Sequence, residues 1–271
     1  MRKAFTIILA ALLLLSVFVS CNQDDLVDDL FNSSVHVTFD SNGGSGSMAV
    51  QEMKGKTATA LSANAFTKEG YLFLEWNTKA DGTGTAYADG ASVSLDSDIT
   101  LYAQWIDTSS VIQSSTTQLS GDGTKYSIIS DVTVTERLVV NGSVTINLPA
   151  GRTLRVPKGI RVSEGNSLTI TGTSTLIIAE TEDGKAGIGG NEDENCGTVI
   201  IESGTVTVTG GNYGAGIGSG MNGAGGTIII SGGTVNATGG TDAAGIGPGK
   251  DGTVGTITIS DEANVTTAGE S

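Results

Sequence analysis

Ala186-Gly187-Ile188-Gly189, Ala215-Gly216-Ile217-Gly218 and Ala244-Gly245-Ile246-Gly247 are three copies of one tetrapeptide, each 29 residues from the next. A second motif keeps the same step: Gly197-Thr198-Val199-Ile200-Ile201, Gly226-Thr227-Ile228-Ile229-Ile230 and Gly255-Thr256-Ile257-Thr258-Ile259. Thr205-Val206 and Thr234-Val235 follow it too. Independent motifs locked to one period mark a solenoid of stacked units. Each period holds three short β-like runs between glycine-rich turns, in one repeat residues 226–230, 233–238 and 244–247, and no run is long enough for a helix. Three strands per coil, in register, describe a right-handed parallel β-helix. Equivalent residues then pile into ladders at the inter-strand spacing of about 4.8 Å. Ile188, Ile217 and Ile246 form one inward ladder, Val199, Ile228 and Ile257 a second, and Ile201, Ile230 and Ile259 a third. Thr198, Thr227 and Thr256 form an outward one.

The period loosens upstream. Asn166-Ser167-Leu168-Thr169-Ile170 precedes its counterpart by 31 residues, and residues 144–148 and 153–156 keep only strand alternation. Residues 116–271 thus allow about five coils. Downstream, Asp261-Glu262-Ala263-Asn264-Val265 slips the pattern by one residue. This charged segment is expected to act as a terminator that keeps the protein monomeric, the alternative being an open end that docks with another copy or a partner.

Composition fits an all-β chain and narrows the function classes. Gly accounts for 40 of 271 residues, roughly double the usual share, while Pro is only 3. Aromatics are 5%, so Val, Ile, Leu and Thr must build most of the core. The net charge of −15 argues against nucleic-acid binding, which needs Lys and Arg on phosphates. The single histidine, His36, leaves little room for His-based triads or metal sites, and it reads as a solvent-facing strand residue.

Upstream of the repeats lies a different segment. Val35-His36-Val37-Thr38-Phe39-Asp40 alternates like a strand and runs into an Asn42-Gly43-Gly44 turn. Gly70-Tyr71-Leu72-Phe73-Leu74-Glu75-Trp76 and Ile99-Thr100-Leu101-Tyr102-Ala103-Gln104-Trp105 are further strands, and most aromatics gather here. With Phe66-Thr67-Lys68-Glu69-Gly70-Tyr71, Trp76-Asn77-Thr78-Lys79 and Tyr87-Ala88-Asp89-Gly90, residues 35–105 resemble the Listeria–Bacteroides repeat of internalins and other surface proteins. The resemblance implies a small β-grasp-like module, extracellular spacing or adhesion rather than catalysis, and Trp76 and Trp105 as core residues. Residues 106–115, rich in Ser and Thr, read as a linker to the β-helix at 116–271. That β-helix resembles the glycine-rich repeats of bacterial surface proteins, some described as carbohydrate-binding. Residues 187–190, 216–218 and 230–235 carry the likeness.

The N-terminus reads as an address. A basic start, Met1-Arg2-Lys3, precedes a run of 16 uncharged residues at 4–19, too short for a comfortable membrane span. Phe18-Val19-Ser20-Cys21 resembles a bacterial lipobox, with Phe18 in place of the usual Leu. The resemblance implies a signal peptide at 1–20, lipid on Cys21 and a membrane as partner. The alternative is an ordinary secretory signal that contains a Cys. The acidic tether at 21–34 resembles the tract that sends some Bacteroides-type lipoproteins to the outer membrane surface. With Cys21 lipidated, Cys196 has no disulfide partner.

Few residues suggest chemistry. Asp193, Asn222 and Asp251 are 29 apart at one corner of successive coils. They form either a turn column, because Asp and Asn tolerate turn geometry, or a stack of oxygens able to hold Ca²⁺. Tyr213, in a glycine-rich turn, is the candidate sugar-stacking platform. Arg137, Arg152, Arg155 and Arg161 are expected to be solvated, and Cys196 to be a structural or exposed thiol rather than a nucleophile. Ala-Gly-Ile-Gly lacks the Lys and following helix of a phosphate loop. No catalytic residue, resident metal or cofactor is assigned. The leading expectation is a lipid-anchored, adhesin-like protein of the cell envelope that binds glycan or surface-protein ligands through Tyr213, Asp193, Asn222 and Asp251. A structural stalk is the alternative, and a polysaccharide lyase or hydrolase a third.

Overall fold

The computed structural model describes residues 34–179 and 181–270. Its N-terminal part is built from β1 (Ser34–Asp40), β2 (Gln51–Lys54), β3 (Thr59–Ala60), β4 (Tyr71–Asn77), β5 (Ala86–Tyr87), β6 (Ser92–Val93) and β7 (Ile99–Asp107). Five of these make a mixed sheet in the order β2-β1-β7-β4-β5, with β1 and β7 parallel, while β3 and β6 pair separately. Alternation in β1 sends Val35, Val37 and Phe39 inward and His36, Thr38 and Asp40 outward. The core closes on Trp76, which is fully buried with Phe39, Phe73 and Phe66 rings at 4.8, 5.0 and 6.1 Å. Trp105 is partly buried, and its indole N–H donates to the Ser41 carbonyl at 2.9 Å.

The remainder is a parallel β-helix with three faces, each a six-stranded sheet. The first face runs from Gln118–Ser120 to Ile246–Gly247, the second from Thr124–Ser127 to Thr256–Ile259 and the third from Val132–Thr133 to Asn264–Glu270. The register is the one the repeats dictate: Ile188 pairs with Ile217 and Ile217 with Ile246, and Val199, Ile228 and Ile257 align. Ile201, Ile230 and Ile259 align as well, and Thr198, Thr227 and Thr256 stack outside them. Six coils form rather than five. The early coils are shorter, with Val139 pairing Gln118 only 21 residues back and Ile160 pairing Leu138 only 22 back. They lack the long Gly-rich loop that sets the later period, so a count based on 29 residues comes out one too low. One continuous core of Val, Ile and Leu runs from Ile112 to Val235. In the last coil the ladder members Ile257 and Ile259 are 38% and 46% exposed.

The slip at residues 261–265 has a simple cause. Asn264 pairs with Thr234, 30 residues back, so the extra residue sits in the turn before the final strand and the sheet continues in register. Asp261 and Glu262 are exposed in that turn and do not end the strand pattern.

The motif glycines are there because coils approach at backbone distance. Gly189, Gly218 and Gly247 have φ of +136°, +141° and +140°. A Cβ on Gly189 would stand 1.8 Å from the Gly218 carbonyl oxygen, and one on Gly218 equally close to that of Gly247. Only glycine occupies such a position without displacing the coil beside it.

Three of the arginines expected to be solvated, Arg137, Arg152 and Arg161, are instead bonded within the protein, Arg137 the most deeply. Arg137 is largely buried, and its guanidinium donates to the carbonyls of Lys158 at 2.8 Å and Ala186 at 2.9 Å. Burial pulls its pKa down to about 10. It thus fills the step where short coils give way to long ones. Arg155 is exposed, as its alternation with Leu154 and Val156 requires.

The two parts are joined by more than a tether. Residues 106–115 carry three apolar side chains among their Ser and Thr, and all three are buried. Ile106 extends β7, Val111 bridges in parallel to Ser127, and Ile112 enters the β-helix core with its N–H on the Ser127 carbonyl at 2.8 Å. Leu74, Ile106 and Val111 form a cluster against Ile129.

The ladders make sharp demands on substitution. Ile217→Asp leaves an unpaired charge between Ile188 and Ile246 and should cost ~3 kcal/mol or more. Gly218→Ala should cost about as much through clash and strain. Thr207→Asp, on an exposed outward position, should change stability by less than about 0.5 kcal/mol. Thermal unfolding followed by circular dichroism checks all three; equal melting curves for Ile217→Asp and Thr207→Asp would remove the register.

Candidate functional site

The long loops of the later coils carry the residues singled out in the sequence. Asp193, Asn222 and Asp251 adopt φ of 59°, 64° and 56°, the left-handed region that Asn and Asp tolerate. The Asn222 amide donates to Asp193 Oδ1 at 3.0 Å. Their backbones continue the stack, with Asp193 N–H on the Met221 carbonyl and Asn222 N–H on that of Lys250. This geometry is that of a turn ladder. Among the described residues no group of three His, Cys, Asp or Glu side chains converges to hold a metal ion.

Tyr213 sits in a second such column, with φ of 64° above Gly184 at 72° and beside Asp242 at 56°. It is 37% exposed, but the Lys250 ammonium lies 4.6 Å from its ring centroid and 2.9 Å from Asp242. The cation occupies one stacking face of the ring. Lys250 also donates its N–H to the Tyr213 carbonyl at 2.9 Å, so this residue ties the two columns together. A second basic side chain of the coils is likewise engaged: Arg161 grips Glu194 through Nε at 2.8 Å and Nη2 at 2.5 Å. That bidentate pair is not the free solvation expected of Arg161. Cys196 is buried, and desolvation pushes its thiol pKa up to about 12.

The sequence reading missed a cleft at the junction of the two parts, about 240 Å³ in volume. Leu74, Trp105 and Ile106 give it an apolar wall, and Glu75, Gln104 and Asn147 supply polar groups. Lys125, Asp81 and Asp107 stand around them. Glu75 projects from β4, and its Oε2 accepts from the Ala150 N–H of the β-helix at 3.0 Å. Burial raises its carboxyl pKa above the ordinary 4.5, against the opposing pull of the Ala150 N–H, Arg152 and Lys125. Arg152 is about half-buried there, its Nη1 donating to the Ile128 carbonyl at 3.2 Å. Asn147 is buried on the second face of the β-helix, with Oδ1 accepting from Thr171 at 3.3 Å. Clefts between packed units are the usual setting of small-molecule sites. The one signal in the sequence was Glu75 itself, a carboxylate inside the aromatic strand Tyr71–Asn77.

Comparison with known proteins agrees with this two-part plan. Residues 36–104 match the Listeria-Bacteroides repeat domain, and residues 199–221 and 228–250 match the Beta helix repeat. No curated protein and no solved structure matches. The chain is therefore an all-β protein of surface or extracellular repeat type. In particular, it is similar to a Listeria-Bacteroides repeat domain followed by β-helix repeats.

Two measurements follow from these environments. Cys196 should resist maleimide labelling in the folded protein at neutral pH and react fully in denaturant. Glu75 holds its proton to higher pH in the folded than in the unfolded chain. Between 4.5 and the raised value the unfolded state therefore binds fewer protons, and stability falls as pH rises through that window. Glu75→Gln keeps an oxygen for Ala150 N–H, so it should abolish that part of the slope and melt no lower than the parent at neutral pH. A variant that melts lower there would mean that the ionised carboxylate stabilises the junction.

Proposed function

We propose that this is a lipid-anchored protein of the bacterial cell envelope, displayed at the outer membrane surface, that binds glycan or protein ligands in an adhesin-like manner without catalysis. The observation that carries the binding role is the cleft where a surface-type repeat domain and a β-helix meet, lined by polar and apolar side chains together. A non-catalytic role is supported by the pairing of charged groups on the coils, Arg161 with Glu194 and Lys250 with Asp242, and by the buried thiol of Cys196. Anchoring rests on the apolar run that ends at Cys21, which lies outside the described residues. The same polar columns on Tyr213, Asp193, Asn222 and Asp251 offer an outer surface for larger ligands.

Two experiments test this function. Cys21→Ser should move the protein from the membrane to the soluble fraction, whereas continued full membrane attachment would end the lipoprotein assignment. The soluble variant applied to a glycan array should retain a defined subset of glycans. Retention of none, with no surface protein bound, would favour a structural stalk.

A further inference from the structure

The cleft contains two buried polar groups with unspent hydrogen-bonding capacity, one from each part of the protein. Glu75 and Asn147 are each only 9% exposed. Glu75 uses Oε2 on Ala150, and its Oε1 has no hydrogen bond among the described residues. Asn147 uses Oδ1 on Thr171, and its amide nitrogen has none either. Neither atom is sealed from solvent, so an acceptor and a donor stay open in one cleft where water or a ligand can meet them. Asp81 and Asp107 are fixed at the rim, because each holds Oδ1 on a turn, Asp81 to Thr83 and Asp107 to Ser109.

We infer that this cleft is a subsite for one uncharged, hydroxyl-rich sugar ring, held between Glu75 of the repeat module and Asn147 of the β-helix against the Trp105 wall. The inference deepens the glycan-binding function proposed above and rests on it. A hydroxyl both donates and accepts, so it satisfies Glu75 Oε1 and the Asn147 amide together. An ammonium could donate to Glu75 but could not accept from Asn147. A carboxylate or phosphate could accept from Asn147 but would meet three carboxyl groups, Glu75, Asp81 and Asp107, against two cations, Lys125 and an Arg152 already engaged on the Ile128 carbonyl. Leu74, Trp105 and Ile106 suit the C–H face of a pyranose. The volume of about 240 Å³ has room for one ring and not for a chain. A longer glycan would therefore enter by a terminal or branch residue.

The chain has two tryptophans, which gives a direct readout. The ¹⁵N-labelled secreted chain carrying Cys21→Ser is titrated with methyl glucoside, methyl galactoside, methyl mannoside and N-acetylglucosamine. Glucuronate and glucosamine serve as charged comparisons. At least one neutral sugar should shift the Trp105 indole and Asn147 amide signals with millimolar affinity and leave the fully buried Trp76 indole in place. Glucuronate should bind at least about tenfold more weakly. Asn147→Asp, which removes the donor but keeps the oxygen on Thr171, should weaken binding about tenfold or more. Asn147→Leu, which removes the donor at similar volume, serves as a second variant should Asn147→Asp fail to fold, and should weaken binding as much. Sugar shifts unchanged in the folded variants, or Trp105 unmoved by every sugar, would overturn the inference. Should the array still show glycan binding in that case, the broader function stands and the ligand lies elsewhere on the surface. An empty array together with an unmoved Trp105 removes both.

Discussion

The carbonyl oxygen of Gly218 occupies the space where a Cβ on Gly189 would stand, and that of Gly247 stands the same way over Gly218. Coils can stack at hydrogen-bond distance on this face only while those positions stay glycine. The rest of the β-helix depends on that approach. It fixes the first face, which places Ile188, Ile217 and Ile246 in one line, and the other two faces inherit the register from the covalent period. The isoleucines then supply the burial that holds the stack closed. Glycine here is a packing residue, used where backbone meets backbone, and the high glycine content follows from the number of such meetings.

The same stacking leaves the early coils with a geometric problem. Where coils of about 22 residues give way to coils of 28 and then 29, loops change length and backbone carbonyls lose their regular partners. Arg137 lies at that step, with its guanidinium on carbonyls of two successive coils. The largely desolvated cation is tolerated because fixed carbonyls meet both terminal nitrogens, while its Nε is left without a partner among the described residues. The other end of the early coils meets the repeat module. Ile112 belongs to the β-helix core and Ile106 to β7, so five residues of chain separate two hydrophobic anchors. That leaves little slack, and the cleft walls contributed by Glu75 and Asn147 are held in a fixed relation.

What the sequence disclosed, and what it hid, divides along physical lines. The period of 29, the inward ladders and the outward threonines were legible because each coil repeats the same contacts, so one motif reports on all. The alternation in β1 and the buried Trp76 were legible for a similar reason, since local pattern and burial agree there. The coil count was not, because the first coils lack the motif that defines the period. Residues 106–115 looked like a linker because seven of the ten are polar and the three buried apolar residues set no period. Arg137 was hidden for a different reason: its partners are backbone carbonyls 21 and 49 residues away, which no side-chain pattern reveals.

The turn columns and the cleft differ in how their polar groups are spent. On the columns, Asn222 donates to Asp193, and Lys250 covers Tyr213 while pairing with Asp242. These residues sit in positions that the backbone demands, and Asp193, Asn222 and Tyr213 find side-chain partners within the columns while the rest of their polar atoms face solvent. That is the pattern of groups selected for a turn. In the cleft, Glu75 and Asn147 come from parts with unrelated sequences, and neither completes its hydrogen bonds within the protein. Folding alone gives no return for a desolvated carboxylate whose pKa is raised by its burial. Clefts that bind ligands keep such groups because the ligand completes what the fold leaves open. By that criterion the candidate residues read from spacing are the better explained by structure, and the residues that spacing could not reveal are the better placed to act.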